Sequence, residues 1–194
     1  MPDDMTTPDP VLLLWQVAEG DEEALRQLYV AYRPRLRRYL WHQLDGDGHA
    51  VEEALQDTFL AVWRTAGGYR GEAKVATWLF QIAHYVALRT RKAAARRGWS
   101  AGDLERSEEA AIPMATSPED MVLGQLTLDE ALSRLSMKHR AVLHLVFQQG
   151  FTAEEAAQIL GVPVGTVKSR MSYARRALQR VIDCWVPEDA RHDA

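Results

Sequence analysis

The stretch from 152 to 180, TAEEAAQILGVPVGTVKSRMSYARRALQR, constrains the fold most, because it reads as two short helices around a tight turn. Thr152 is a good N-cap residue, and Glu155 three positions later completes a capping box for the first helix. Gly161 stands where the chain must leave the helix, since a residue without Cβ adopts positive φ at little steric cost. Pro163 prevents simple continuation. The pattern predicts a helix-turn-helix.

The second predicted helix begins near Thr166, whose hydroxyl can cap it, and combines one apolar face with basic ones. Apolar residues recur at helical spacing at Val167, Met171, Ala174, Leu178 and Val181. The other faces carry only cations among their charges: Lys168, Arg170, Arg175, Arg176 and Arg180. The major groove admits such a helix, and the small residues Ala156 and Ala157 let the supporting helix approach closely, so the pattern favours DNA binding. The alternative is a solvated basic face beside an ordinary helical turn.

The composition limits the remaining possibilities. A chain of 194 residues has room for one medium domain or two small ones, and 47% hydrophobic residues suffice for packed cores. The acidic start MPDDMTTPDP does not resemble a signal peptide, and no apolar run is long enough to cross a bilayer, so we expect a cytoplasmic protein without membrane insertion. The single cysteine, Cys184, cannot form an internal disulfide; we expect a small buried side chain, with redox sensing as the alternative.

The formal net charge of −4 is unusual for a DNA-binding protein, but the charges are segregated along the chain. Cations concentrate in 33–38, 89–97 and the last helix, whereas acids dominate 45–57 and 103–120. Basic faces can therefore meet nucleic acid while acidic faces meet protein or solvent.

The apolar pattern divides the chain into two helical blocks. In the first, 11–97, breaks at Gly20-Asp21, at 45–48 and at Gly67-Gly68 separate helices, and the pattern resumes from Thr77. The segment 98–118 mixes small, acidic and Pro residues, as a linker does. The second block, 119–184, has predicted helices through Leu126–Leu135 and Val142–Phe147 before the helix-turn-helix. No strand pattern competes, so we predict an all-α fold of two small domains joined by a flexible linker.

Motifs of one family cover nearly the whole chain. They are GDEEALRQLYVAY, AVEEALQDTFLAVWR and YRGEAKVATWLFQIA in the first block, and LSRLSMKHRAVLHLVFQQGFTAEEAAQILGVPVGTVKSRMSYARRAL in the second. In these motifs the first block resembles domain 2, and the second block domain 4, of the extracytoplasmic-function (ECF) group of bacterial RNA polymerase sigma factors. Larger sigma factors have a third domain between domains 2 and 4, and no segment here resembles it. The resemblance implies an alternative sigma factor that binds core polymerase and directs promoter-specific initiation, under the control of an anti-sigma protein.

The resemblance also implies roles for particular residues. The helix over 51–64 corresponds to the one that binds the beta-prime clamp helices, which implicates Glu53, Gln56 and Asp57. Carboxylates and an amide on a rigid helix suit charge-assisted hydrogen bonds to arginine, although a solvated acidic face is the alternative. Domain 4 of the family further implies contact with the beta flap. Since polymerase performs the nucleotide transfer, the resemblance implies no catalytic residue, no metal and no cofactor.

Two groups of DNA contacts follow from the same comparison. The residues implied to recognise and open the minus-ten element, by stacking and phosphate contact, are Tyr69, Arg70, Lys74, Tyr85, Arg89, Arg91 and Lys92. Those implied to face the minus-thirty-five element are Thr166, Lys168, Ser169, Arg170, Tyr173, Arg175 and Arg176. For Trp78 the helical phase with Ile82 favours the core instead.

Three positions depart from the family pattern. Many members have Asn where this chain has Tyr85 and an acid near Arg89, which bears on minus-ten preference, and Met137 replaces a common Pro at the start of a domain 4 helix. Two other function classes explain less of the sequence. A promoter-binding regulator with a helical sensor would explain only the C-terminal half, and a helical enzyme for phosphorylated substrates lacks an identifiable nucleophile, base or metal constellation.

Overall fold

The computed structural model describes residues 9–98 and 135–185, which we call the N-terminal half and the C-terminal half, with side-chain surroundings given for 9–96 and 135–177. Every regular element in these stretches is helical, which confirms the predicted all-α class. The α-helices described are α1 (Pro10–Ala18), α2 (Glu22–Gln43), α3 (Gly48–Thr65), α4 (Val75–Gly98), α5 (Met137–Leu143), α6 (Ala153–Leu160) and α7 (Val164–Trp185).

The helices α1, α2 and α3 each begin after an aspartate whose carboxylate accepts backbone N–H bonds. Asp9 accepts from the amide of Val11 at 2.9 Å, and Asp21 accepts from those of Glu23 and Ala24 at 2.8 and 3.1 Å. Asp47 does the same for the first turn of α3. These bonds satisfy amides that have no partner inside the helix. The breaks predicted near Gly20 and at 45–48 are therefore confirmed.

The core of the N-terminal half forms where α2, α3 and α4 pack together. The apolar α3 residues at helical spacing are buried, including Val51 and Val62, which are fully inaccessible, and Trp63 is partly buried. α3 ends in a short 3₁₀ turn over Ala66–Gly68. α4 begins at Val75, two residues before the predicted Thr77, because both side chains are buried and the packed stripe starts at Val75.

The C-terminal half contains the predicted helix-turn-helix. The Thr152 hydroxyl accepts from the Glu155 amide at 3.1 Å, and the Glu155 carboxylate accepts from the Thr152 amide at 2.9 Å. Gly161 has φ of 64°, the left-handed conformation expected of it. α7 begins at Val164, directly after Pro163, rather than near Thr166. The prediction of Thr166 as the cap was wrong, because Pro163 already supplies a preset φ and its carbonyl accepts from the Thr166 amide.

The helix before this motif is not regular throughout. α5 runs from Met137, in the first helical position where Pro is favoured in general, and then widens to a π-helical segment over His144–Gln148. The Nδ1 atom of His144 and the Oε1 atom of Gln148 are 2.7 Å apart. The sequence predicted one continuous helix here. The predicted linker 98–118 and the helix through Leu126–Leu135 lie outside the described residues, except for the ends of these ranges.

The two halves pack directly against each other. One hydrophobic cluster contains side chains from both, with the rings of Phe80 and Phe151 edge to face at 4.9 Å between centroids. The guanidinium of Arg35 lies over both rings, and it donates to the side-chain and main-chain oxygens of Gln149 at 3.1 and 2.9 Å. Arg140, which is 8% exposed, donates to the His42 carbonyl at 2.9 Å. No helix in the described part of the chain is long and apolar enough to span a membrane.

Candidate polymerase and nucleic-acid interfaces

The acidic face of α3 is open to solvent on the outside of the N-terminal half. Glu53 and Gln56 are exposed, and Asp57 is half-buried. The Oδ2 atom of Asp57 accepts from the Arg89 guanidinium of α4 at 2.7 Å. This ion pair joins a residue implied to bind polymerase to one implied to bind DNA, so the two candidate surfaces are contiguous at this point.

Leu60 adds an apolar group to this face, and the sequence reasoning missed it. It lies one turn after Gln56 and two turns after Glu53, and its side chain is 51% exposed. A surface that combines an exposed apolar group with polar groups matches the anatomy of protein interfaces. The signal was present in the sequence, because Leu60 falls outside the inward stripe of Leu55, Phe59 and Val62.

The minus-ten candidates before α4 do not share one environment. The Tyr69 hydroxyl donates to the Ala73 carbonyl at 2.5 Å, and its ring packs edge to face on Trp78. Tyr69 therefore supports the loop, as Trp78 supports the core. Arg70 is exposed. Lys74 is exposed too, but its Nζ atom lies 2.9 Å from Glu155 of the C-terminal half.

The minus-ten candidates on α4 divide between its two sides. Tyr85 is 70% exposed, and Arg89 and Lys92 follow it one and two turns later as exposed residues on the same side. Arg91 points the other way, where it donates to the Gln43 carbonyl at 3.0 Å and to the carboxylate of Asp45. The structure thus groups Tyr85, Arg89 and Lys92 and places Arg91 in a packing contact.

A buried histidine lies directly before Tyr85. His84 is 9% exposed, and its Nδ1 atom shares a 2.7 Å hydrogen bond with the hydroxyl of Tyr39. Burial lowers the pKa of His84 to about 4, and the positive charge of Arg170 in α7 adds to the effect. Burial also raises the pKa of Tyr39. Both rings therefore stay neutral at physiological pH.

Five of the seven minus-thirty-five candidates are exposed on the outer sides of α7, and two are partly buried. Lys168, Ser169, Arg175 and Arg176 are exposed, and Thr166 is partly buried. Tyr173 is 40% exposed and stacks on His139 at 4.4 Å between ring centroids. Arg170 is half-buried. The buried residues Ala156, Ala157 and Val167 confirm the predicted close packing of α6 and α7.

The comparisons with known proteins agree over almost the whole chain. The family model described as ECF sigma factor matches residues 10–183. SigL of Mycobacterium tuberculosis, an ECF RNA polymerase sigma factor, is 31% identical over 165 residues, which cover 84% of this chain and 90% of SigL. SigM of the same organism is 33% identical over 175 residues, covering 90% of this chain and 84% of SigM.

A solved structure agrees with the fold. The sigma factor RpoE from Bartonella quintana, in complex with the anti-sigma factor NepR, superimposes with a TM-score of 0.61 at 26% identity. The match covers 81% of this chain and 96% of that one. The chain belongs to the ECF sigma factor family. Its function is that of an alternative sigma factor, which binds core RNA polymerase and directs promoter-specific transcription initiation.

Proposed function

We propose a division of labour between the two halves of this sigma factor. Residues 11–97 act as domain 2, which docks on polymerase and captures the melted minus-ten element, and residues 119–184 act as domain 4, which grips the minus-thirty-five duplex and meets the beta flap. The segment 98–118 links them. The observation that carries the proposal is the contrast, within one chain, between the open acidic face of α3 and the basic face of α7, which has no acidic residue from Val164 to Val181.

On the polymerase side, Glu53, Gln56 and Leu60 form the contact to the clamp helices. Their exposure leaves them available, and a rigid helix holds them at fixed spacing. Asp57 contributes after its hydrogen bond with Arg89 is replaced by one with a polymerase residue. This exchange would couple polymerase docking to the release of a cation for DNA.

On the DNA side, Tyr85 is the candidate for stacking on an unpaired base, and Arg70, Arg89 and Lys92 are the candidates for phosphate contact. The large exposed ring of Tyr85 and the cations one and two turns away support these roles. Lys168 and its exposed neighbours on α7 contact the upstream duplex. The chain itself catalyses no reaction in this scheme and acts in the cytoplasm, where polymerase is found.

Control by an anti-sigma protein is part of the proposal. RpoE of Bartonella quintana, which shares this fold at 26% identity, was solved in complex with such a protein. An equivalent partner would cover the polymerase-binding face, the DNA-binding face or both.

Transcription by core polymerase from a panel of promoters, with and without this chain, tests the proposed function. We expect new start sites that require the chain and share upstream elements. No attachment to core polymerase, or attachment without directed initiation, would contradict it. Turnover of any substrate by the isolated chain would contradict the absence of catalysis.

A further inference from the structure

Three arginines on the outside of α2 have no part in the surfaces described so far. They are Arg33, Arg37 and Arg38. Arg35 of the same basic run turns toward the C-terminal half, where it donates to Gln149. Arg37 and Arg38 are exposed instead, and Arg33 is half-buried. The charge of these three arginines is therefore directed to the outside of the N-terminal half.

The three arginines line an open groove of about 640 Å³, which we call the α2 groove. Trp41 and His42 of α2 and Glu52 of α3 complete its lining together with Pro34, whose short ring leaves room between the longer side chains. Among the described residues that line the groove, Glu52 carries the single carboxylate. Three guanidinium groups thus share a groove with one carboxylate.

The carboxylate of Glu52 is divided between two of the arginines. The Nε atom of Arg37 donates to its Oε1 atom at 2.7 Å, and the Nη2 atom of Arg33 lies 3.5 Å from its Oε2 atom. The hydrogen bond from Arg37 lowers the pKa of Glu52, so this carboxylate is charged. The Nε atom of Arg33 is buried without a hydrogen-bond partner, and Arg38 has no ion pair with any residue that the structure describes. The groove therefore carries more positive charge than its neighbours neutralise.

Arg37 is held in place from two sides. Besides its bond to Glu52, its guanidinium lies over the ring of Trp41, 5.9 Å from the centroid. The ring of Trp41 lies against the loop that follows α2, where a Cβ atom on Gly46 would come within 3.3 Å of its Cζ2 atom. These contacts fix the guanidinium and leave its terminal N–H groups for a further acceptor. Such preorganisation lowers the entropy that is lost when an anion binds.

The chemistry of the groove favours the phosphates of an unpaired nucleic-acid strand. The planar fork of arginine matches the oxygens of phosphate. Sites for single strands combine a basic groove, which follows the backbone, with an aromatic side chain on which a base stacks. Trp41 lines the groove and is 38% exposed, so it can supply the aromatic surface. The bases of a duplex are paired and stacked on each other, and an acidic peptide offers the indole no base.

We propose that the α2 groove is a third nucleic-acid contact of this sigma factor, in which Arg33, Arg37 and Arg38 bind phosphates of the unpaired promoter strand beside Trp41. This inference extends the proposed capture of the melted strand by residues 11–97 and rests on it. The groove lies on α2, whereas Tyr85 and its cations lie on α4. A strand held on both helices is fixed over a longer unpaired stretch than α4 alone can hold.

Arg38→Ala tests the groove in the full chain, because it removes an exposed cation that has no ion pair within the described residues. Arg26→Ala is the matched control, since it removes the same charge from the same helix, where Arg26 pairs with Glu23. We expect Arg38→Ala to bind a mixed-sequence single strand about two- to fivefold more weakly than the control at low salt. Its salt slope should fall by about 0.7.

Three outcomes of these titrations would overturn the proposal. The first is equal affinity of the two variants for the single strand. The second is an equal loss for Arg38→Ala on the duplex of the same sequence, which would contradict the preference for an unpaired strand. The third is weaker binding of Arg38→Ala to core polymerase with unchanged binding of the strand, which would assign the groove to a protein contact.

Crosslinking in the complete initiation complex tests the position of the strand. A photoreactive group is attached to Arg38→Cys or to Tyr85→Cys, each in a Cys184→Ser background so that one cysteine reacts. With core polymerase and a promoter fragment from the transcription assay, we expect both positions to crosslink to the unpaired strand. Crosslinks from Tyr85→Cys alone would overturn this inference. Crosslinks from neither position would also overturn the proposed capture of the melted strand.

Discussion

Asp45 has more influence on the fold than its position in a surface loop suggests. It has a φ of 53°, a left-handed conformation that Asp and Asn tolerate better than most residues. Its carboxylate accepts from Arg91 of its own half and from Arg140 of the other. Burial by itself raises its pKa, but the hydrogen bonds and charges of these arginines outweigh burial, and the pKa of Asp45 falls below its usual value.

Asp45→Asn should therefore destabilise the chain, although Asn keeps the shape and tolerates the backbone conformation. We expect a loss of about 1–2 kcal/mol in urea unfolding, since the arginines lose a charged acceptor that is itself half-exposed. Asp47→Asn is the matched control, because Asn caps a helix as well as Asp. Equal effects of the two substitutions would show that Asp45 does not join the halves.

His84 should make stability depend on pH in a defined window. Its pKa is about 4 when folded and about 6.5 when unfolded, so the unfolded chain takes up the proton first. The contribution of neutral His84 to the free energy of unfolding is fully present above about pH 6.5. It decreases as the pH falls toward 4, by at most about 3 kcal/mol. His84→Gln should flatten this slope in urea unfolding at a series of pH values. His49→Gln, at an exposed position, should leave the slope intact.

At the scale of elements, α3 and α7 present opposite charges for the two proposed partners. Both are amphipathic, with their apolar stripes buried and their polar faces outward. The capping box and the turn glycine of α6 could be predicted from the sequence, because they act on amides a few residues away. The start of α7 could not be fixed to within two residues, since Pro163 and Thr166 offered competing first turns.

The α3 face predicts a selective loss of polymerase binding. Gln56→Ala with Asp57→Ala should weaken association with core polymerase. Leu60→Ser should weaken it by about five- to tenfold, because burying a whole leucine side chain is worth roughly 1.5–3 kcal/mol and about half of this one remains to be covered. Gln81→Ala, at an exposed position of α4, is the control. Binding titrations with purified core enzyme check the result, and unchanged affinity would remove these residues from the site.

The α7 face predicts a different loss for each of two neighbouring cations. Lys168→Ala should weaken promoter binding across sequences and reduce the salt slope by about one, because Lys168 is exposed and suits phosphate. Arg170→Ala should weaken promoter binding while leaving polymerase binding nearly intact. Titrations at several salt concentrations distinguish the two effects. Equal loss of polymerase and promoter binding would contradict the division between α3 and α7.

At the scale of the whole molecule, the shared cluster makes the two halves depend on each other. Phe151→Ala should cost about 3–5 kcal/mol in urea unfolding, because the ring is 6% exposed and fills the space beside Phe80. Phe147→Ala, four residues earlier and 58% exposed, is the control and should change stability by less than about 0.5 kcal/mol. Similar small losses from both substitutions would mean that the halves unfold independently.

The sequence by itself determined the all-α class, the helix-turn-helix and the segregation of charge, because helical period, capping and left-handed glycine act over a few residues. Only the tertiary structure decided which of the predicted DNA-contacting side chains are free of packing partners within the fold. The sequence offered no way to separate Arg91, Tyr69 and Lys74 from the other candidate DNA contacts, yet each of the three has a partner within the fold. Arg35 and Gln149 meet across 114 positions, a separation at which no local pattern specifies pairing, so this contact depends on how two finished surfaces fit together.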